Sequence, residues 1–296
     1  MTKKLQKIVA SLLTVVMVTT MFTTDAKAAT YDAGSNKTVY NCVGLGDSTV
    51  ELSDSAVRDI LDDVETKYEK FEYTNLGVSG WTSGNLLNAL KTNTTMRNAV
   101  KSADFVVISV GGNDIWQCVM SQMADGLGCS ATEVDSTLTK LVNQYNAATG
   151  YQKVTLGLQL MQKARKMHNN LYDTAVIQKS ANLFKTNYTS ILSTVKGLAP
   201  NAKIYVANQY NPCMGAETDY FGFVEIGNIY DIIELYDVKY NNIVATCSTG
   251  CTVVDVHSVI TEEADIRGGW ESGHFDLHPS AIGYGKIIDA FLAKML

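Results

Sequence analysis

No Cys-x-x-Cys pair occurs in the 296 residues, no cluster of lysines and arginines, and no internal repeat or low-complexity tract. The first absence removes support for a zinc ribbon or a thioredoxin-like redox site. The second, with 24 basic against 30 acidic residues and a formal net charge of −6, makes nucleic acid a poor candidate partner. Beyond the N-terminal segment no apolar run is long enough to span a bilayer. Prolines number only three and histidines only four, so a reaction that needs an imidazole base has few residues to draw on. What remains is ordinary globular composition, 46% hydrophobic and 18% charged, long enough for one large domain with a sizeable core.

The first 28 residues stand apart from that domain. Lys3, Lys4 and Lys7 form a basic head, Ile8 to Phe22 an apolar run, and Ala26-Lys27-Ala28 a small-residue cleavage site. This is the pattern of a secretory signal peptide, with a run too short to favour a membrane-spanning helix. Ala29, not cysteine, follows the site, which argues against a lipid anchor. The mature domain is expected over 29–296, and loss of four lysines and one aspartate takes its formal charge from −6 to −9. The expectation is a secreted, soluble protein without a membrane span, acting as a monomer. Six cysteines lie in the mature part, and closeness in sequence suggests the pairs Cys118–Cys129 and Cys247–Cys251. Cys42, within an apolar strand, reads as a small buried residue.

Strand and helix patterns alternate along the chain, which predicts a parallel sheet with helices on both faces. Val39–Leu45, Phe71–Leu76, Asp104–Val110, Lys203–Asn208 and Thr252–Val256 read as strands. Helical spacing recurs over Val57 to Tyr68, Gly84 to Leu90, Tyr172 to Leu198, Asn228 to Ala245 and Ser280 to Leu296. The segment of about 116–172, with helices expected at Glu133–Asn146 and Gln152–Met167, reads either as a lid over the site or as extra packing helices.

Three of these strands run into short turns that contain glycine and a polar group: Gly46-Asp47-Ser48, Asn75-Leu76-Gly77 and Gly112-Asn113-Asp114. In a parallel sheet the three turns share the carboxyl edge, where open α/β folds bind ligands. A serine hydroxyl there is a nucleophile once a base takes its proton. Ser48 is the candidate nucleophile, with the Gly77 backbone N–H and the Asn113 amide as candidate oxyanion donors. Among the histidines, His168 falls in the inserted helices and His257 just after the fifth strand, while His274 and His278 precede the last helix. His278, followed by Pro279, is the candidate base. Asp47 and Asp114 are expected to hold turns. Asp255 beside His257 is a second, less specific polar pair. His274 and His278 are four apart but no third ligand is evident, so neither a metal nor a cofactor is expected.

The blocks Gly46-Asp47-Ser48, Asn75 with Gly77, Gly112-Asn113-Asp114 and His278-Pro279, in this order, resemble the SGNH/GDSL hydrolase family across nearly the whole mature chain. The resemblance implies a three-layer flavodoxin-like α/β sandwich whose five-stranded parallel sheet has the order 2-1-3-4-5. It also implies metal-free ester hydrolysis with Ser48 as nucleophile, and an oxyanion hole from the N–H groups of Ser48 and Gly77 and the side chain of Asn113. Two positions depart from the family pattern. Thr49 replaces a leucine, which is expected to alter packing alone. Phe275 stands where the family carries its aspartate, leaving either Asp276 or the Phe275 carbonyl to orient His278. The expectation is a secreted carboxylic esterase acting on a small, polysaccharide or lipid ester. The alternatives are a lipase or lysophospholipase, an acyltransferase using the same serine, and a non-catalytic glycan-binding module of the same fold.

Overall fold

In the computed structural model the described residues are 39–53, 71–221, 224–267 and 276–295. The expected signal peptide and the expected helix over Val57 to Tyr68 lie outside them, as do Trp270, His274 and Phe275. Five strands form one parallel sheet in the order 2-1-3-4-5: β1 (Tyr40–Gly46), β2 (Phe71–Gly77), β3 (Phe105–Ser109), β4 (Lys203–Ala207) and a last strand, Thr252–Val254. β1 lies between β2 and β3 in a register that pairs Gly46 with both Gly77 and Ser109. The turns that follow these three strands therefore emerge side by side at one edge.

Side chains alternate across the strands with a period of two. Val43, Leu45, Val106, Ile108, Ile204 and Val206 face one core, and Cys42, Phe105, Tyr205 and Ala207 face the other. The first core is closed by α2 (Ser83–Thr92), α3 (Thr94–Lys101), α4 (Gly112–Leu127), α7 (Thr174–Leu198) and α8 (Ile229–Cys247), and the second by α9 (Ala281–Met295) through Ile287, Phe291 and Met295. Helices on both faces of the sheet give the three-layer α/β sandwich.

Between α4 and α7 run α5 (Val134–Ala147) and α6 (Gly150–Leu171). With α4 these helices share the main core, through Val119, Met123 and Leu127 of α4, Val134 of α5, and Met167 and Leu171 of α6. A Cβ on Gly126 would stand 2.4 Å from the Met167 side chain and 2.8 Å from its Cα, so the glycine permits the close approach of α4 and α6. α4 starts at Gly112, ahead of Trp116, and so carries Asn113 as well as residues of this core. No helix of the described residues is long and apolar enough to cross a membrane.

Two features differ from the sequence reading. An antiparallel ribbon, β5 (Asp219–Phe221) with β6 (Val224–Gly227), stands apart from the main sheet, and the last sheet strand is therefore β7. The six cysteines are free, and neither suggested disulfide is present. Cys118 Sγ lies 3.3 Å from the Tyr236 hydroxyl, and Cys251 is in polar contact with Lys196.

Candidate active site

β1 ends at Gly46, where an added Cβ would stand 1.9 Å from the Ser109 carbonyl oxygen, so no larger residue fits. The chain turns at once into a single helical turn, α1 (Ser48–Glu51), capped by Asp47, whose carboxylate accepts from the Thr49 N–H at 3.0 Å. Asp47 also donates its own N–H to Ser109 O at 3.2 Å. Ser48 is thereby fixed at the head of the turn, 9% exposed. Burial pushes the Asp47 carboxyl up to about 6, against the lowering influence of Thr49 and of the His278 charge.

The far end of α1 is tied to β2. Asn75 Nδ2 donates to the carbonyls of Val50 and Glu51 at 2.9 and 3.3 Å, and Ser79 donates its N–H to Glu51 Oε2 at 2.7 Å. Gly77, expected as an oxyanion donor, is committed elsewhere: its N–H donates to Asn75 Oδ1 at 3.0 Å. Its lack of a side chain has a steric reason, since a Cβ would lie 2.4 Å from Glu51 N and 2.8 Å from Asp47 O. Of the two glycines that follow β2 in this turn, the one whose N–H is not engaged among the described residues is Gly80, at φ +78° with nothing within 4 Å of its Cβ position. The sequence did hold a signal for it, a second glycine three residues on in Gly77-Val78-Ser79-Gly80, but position alone did not say which N–H was engaged.

Asn113 occupies the first turn of α4, and its Nδ2 donates to Trp81 O at 3.1 Å. One amide hydrogen fixes the side chain, which leaves the second for a ligand. Asp114 accepts from Ser83 N at 2.7 Å and Ser83 Oγ at 2.5 Å, which pins the start of α2 to the start of α4. Asp47 and Asp114 both hold turns.

His278 stands three residues ahead of α9. Its Nδ1 meets Asp276 Oδ1 in a short hydrogen bond, and its N–H donates to the same oxygen at 3.0 Å. A carboxylate oxygen only accepts, so Nδ1 carries the hydrogen and the Nε2 lone pair is available. Burial raises the Asp276 carboxyl, but the hydrogen bonds and charge of His278, with Arg267, outweigh it and hold the group low. The loop is clamped from behind by Arg267 N to His278 O at 2.9 Å and Ser280 N to Asp265 O at 2.7 Å. From the front, the Tyr210 hydroxyl donates to Leu277 O at 2.9 Å. The same hydroxyl is in polar contact with the Thr49 side chain, and Tyr284 OH donates to Thr49 O at 3.4 Å. Thr49 was expected to change packing alone. Instead its hydroxyl joins the Ser48 turn, through Tyr210, to the histidine loop, and Tyr210 is the residue that sequence reasoning missed. Ser48 Oγ and the His278 ring are not directly hydrogen-bonded in this structure.

The pair Asp255–His257 is not a unit. Asp255 accepts from Asn208 Nδ2 at 2.7 Å, whereas the His257 ring turns to Gln209 O and Glu234.

The parallel sheet thus carries a serine at the carboxyl end of its first strand, an asparagine after the third and a carboxylate-held histidine ahead of the last helix, on an α/β three-layer fold of the hydrolase class. The chain belongs to the GDSL-like lipase/acylhydrolase family, whose profile matches residues 45–286. Similar solved structures include the lipase Lip_vut3 from a goat rumen metagenome, 16% identical with a TM-score of 0.53 and covering 86% of this chain and 96% of its own. Another is an acetylxylan esterase from Geobacillus stearothermophilus, 15% identical with a TM-score of 0.49 and covering 88% of this chain and 95% of its own. At 16% identity the likeness to the lipase is one of fold. No curated protein sequence matches the chain.

Proposed function

We propose that the protein is an exported serine esterase that cleaves carboxylic esters through an acyl-enzyme on Ser48. The observation that carries this reading is the His278 ring, its tautomer set by Asp276, in a loop joined through Leu277 and Tyr210 to the turn that bears Ser48. His278 Nε2 takes the Ser48 proton as Oγ bonds to the ester carbonyl carbon. The carbonyl oxygen gains the negative charge and is held by the Ser48 N–H, the Gly80 N–H and the second amide hydrogen of Asn113. Collapse breaks the C–O bond to the alcohol, which leaves with the proton from His278. Water then gives its proton to His278, attacks the acyl carbon and releases the acid, restoring the serine hydroxyl. The hydrogen bond from Ser48 Oγ to the imidazole forms when substrate arrives, since catalytic hydrogen bonds commonly tighten only in the complex.

Ser48→Ala is expected to lower kcat on a chromogenic acetyl ester by at least about 10³-fold and to abolish fluorophosphonate labelling. Asn113→Ala should cost about 10²–10³ in kcat with little change in KM. Unchanged turnover in Ser48→Ala would sink the mechanism. Exported material should begin at Ala29 by N-terminal sequencing.

A second reading, longer-chain lipid esters as substrates, is favoured by an exposed apolar stripe on α6. Tyr151, Val154 and Leu158 are 87%, 59% and 53% exposed, a row suited to an apolar surface. An ester series from acetyl to octanoyl separates the two, because a steep fall beyond butyryl disfavours lipid.

A further inference from the structure

On the carboxyl side of β4 and β7, at the sheet edge, three side chains that the esterase reading does not use converge. Glu234 and Asp237 lie three residues apart on one face of α8, and His257 follows β7. One ligand atom from each lies within 4.8 Å of the other two. We infer that Glu234, Asp237 and His257 form a binding site for one divalent first-row metal ion, with Zn²⁺ as the ion that two carboxylates and an imidazole favour.

The argument starts from Asp237. It is 0% exposed, and neither of its carboxylate oxygens has a hydrogen-bond partner among the described residues. Two orphaned oxygens on one buried carboxylate are costly, and native structures leave few such groups unexplained.

His257 supplies a second line. Its Nδ1 lies 3.1 Å from Gln209 O, and a carbonyl only accepts, so the hydrogen sits on Nδ1. Nε2 faces Glu234 Oε1, 3.3 Å away. Two acceptors do not face each other at that distance without a proton or a cation between them. An imidazolium would satisfy Glu234 and leave both oxygens of Asp237 bare. A cation bound to Nε2, Glu234 and Asp237 would satisfy all three groups together.

The separations suit zinc. Arms of 2.0–2.2 Å in a tetrahedron give ligand–ligand edges of about 3.4 Å, and the His257–Glu234 pair is already at that spacing. The longest separation, at most 4.8 Å, closes by small side-chain shifts. A fourth position remains for water. Calcium is disfavoured by the imidazole and by the shortage of oxygens, since it takes six to eight. The surrounding contacts are those that orient ligands: Gln209 O on His257 Nδ1, and Asn211 Nδ2 on Glu234 Oε2 at 3.2 Å. Entry is open on one side, where the His257 and Glu234 side chains are 33% and 29% exposed.

Gln209 also joins this cluster to the segment that leads to Asn113. Its Nε2 donates to Val110 O at 3.0 Å, and a Cβ on Gly111 would lie 3.0 Å from it. The ion would therefore brace α8, the β4 turn and the β7 turn behind the proposed oxyanion segment. The inference does not depend on the esterase reading.

The test uses the tag-free full chain, stripped with EDTA, desalted and incubated with Zn²⁺, with bound metal measured after gel filtration. The wild type is expected to keep one zinc per chain and to melt at least about 3 °C higher than the stripped protein. Asp237→Asn, which keeps the side-chain shape, and His257→Gln should each lose both the bound zinc and the shift. Should Asp237→Asn not fold, the half-exposed Glu234→Gln takes its place with the same expectation. Co²⁺ in place of zinc should give a ligand-field spectrum without thiolate charge transfer, which separates this site from adventitious binding by the free cysteines. A wild type with no stoichiometric zinc and no thermal shift overturns the inference. So does zinc retained in full by folded variants, or a thiolate band in the cobalt protein.

Discussion

Asp47 serves the site at a cost to the fold. Its carboxylate caps α1 and holds Ser48 at the head of the turn, yet it is 4% exposed and its pKa is raised to about 6. The unfolded chain ionises this group near pH 4, about two units lower, so the folded protein resists losing the proton. Below about pH 4 both states are protonated and there is no penalty. Between about pH 4 and 6 stability falls, and above pH 6 the full penalty of about 3 kcal/mol applies. Asp47→Asn still accepts from the Thr49 N–H and cannot ionise. Urea unfolding at pH 4 and pH 7 should therefore show the wild type losing about 3 kcal/mol relative to the variant over that interval. Parallel pH dependence in the two proteins would mean that burial of Asp47 does not act as described. The same scale separates the glycines, because Gly77 is demanded by backbone contact at 2.4 Å whereas Gly80 is demanded by its positive φ.

At the scale of elements, the site is an assembly of loops held by polar straps between secondary structures. α1 is tied to β2 through Asn75 and Glu51, α2 to α4 through Ser83 and Asp114, and the histidine loop to the β4 turn through Tyr210. Tyr210 touches both the nucleophile turn and the residue before the histidine, so it acts on their relative position. Tyr210→Phe keeps the ring and removes the hydroxyl from Leu277 O. The expected result is a fall in kcat of about tenfold with KM nearly unchanged, since that much barrier corresponds to about 1.4 kcal/mol. A KM increase at constant kcat would instead assign Tyr210 to substrate contact.

For the whole molecule, the helices between Trp116 and Tyr172 are continuous with the core that covers one face of the sheet. A lid standing off the domain would unfold separately, whereas helices that share the core should melt with it. Gly126→Val places a branched side chain where Met167 already lies within 2.4 Å of a single Cβ. It should lower the melting temperature by several degrees in one transition, seen alike by far-UV circular dichroism and by loss of ester turnover. Two separated transitions would show that α4–α6 form an independent unit.

Much of this organisation was legible in the chain because it depends on local periodicity. Apolar runs of five to seven residues, alternating with helical patterns, fixed the strands, and the parallel sheet then required the turns after Leu45, Leu76 and Ser109 to share an edge. Ser48 and Asn113 could be proposed for that reason, and His278 and Asp276 from the loop ahead of the last helix and its resemblance to the family's histidine block. Two kinds of fact depend on which atoms meet across long separations in sequence, and neither was legible. One is the commitment of individual N–H groups: the Gly77 N–H is taken by Asn75, and nothing in glycine spacing reveals that. The other is convergence: Thr49 meets Tyr210, and Glu234 and Asp237 on α8 meet His257 beyond β7. Periodicity within one element determines which face is buried. Only the packed sheet edge determines which polar groups of separate elements share the same few ångströms.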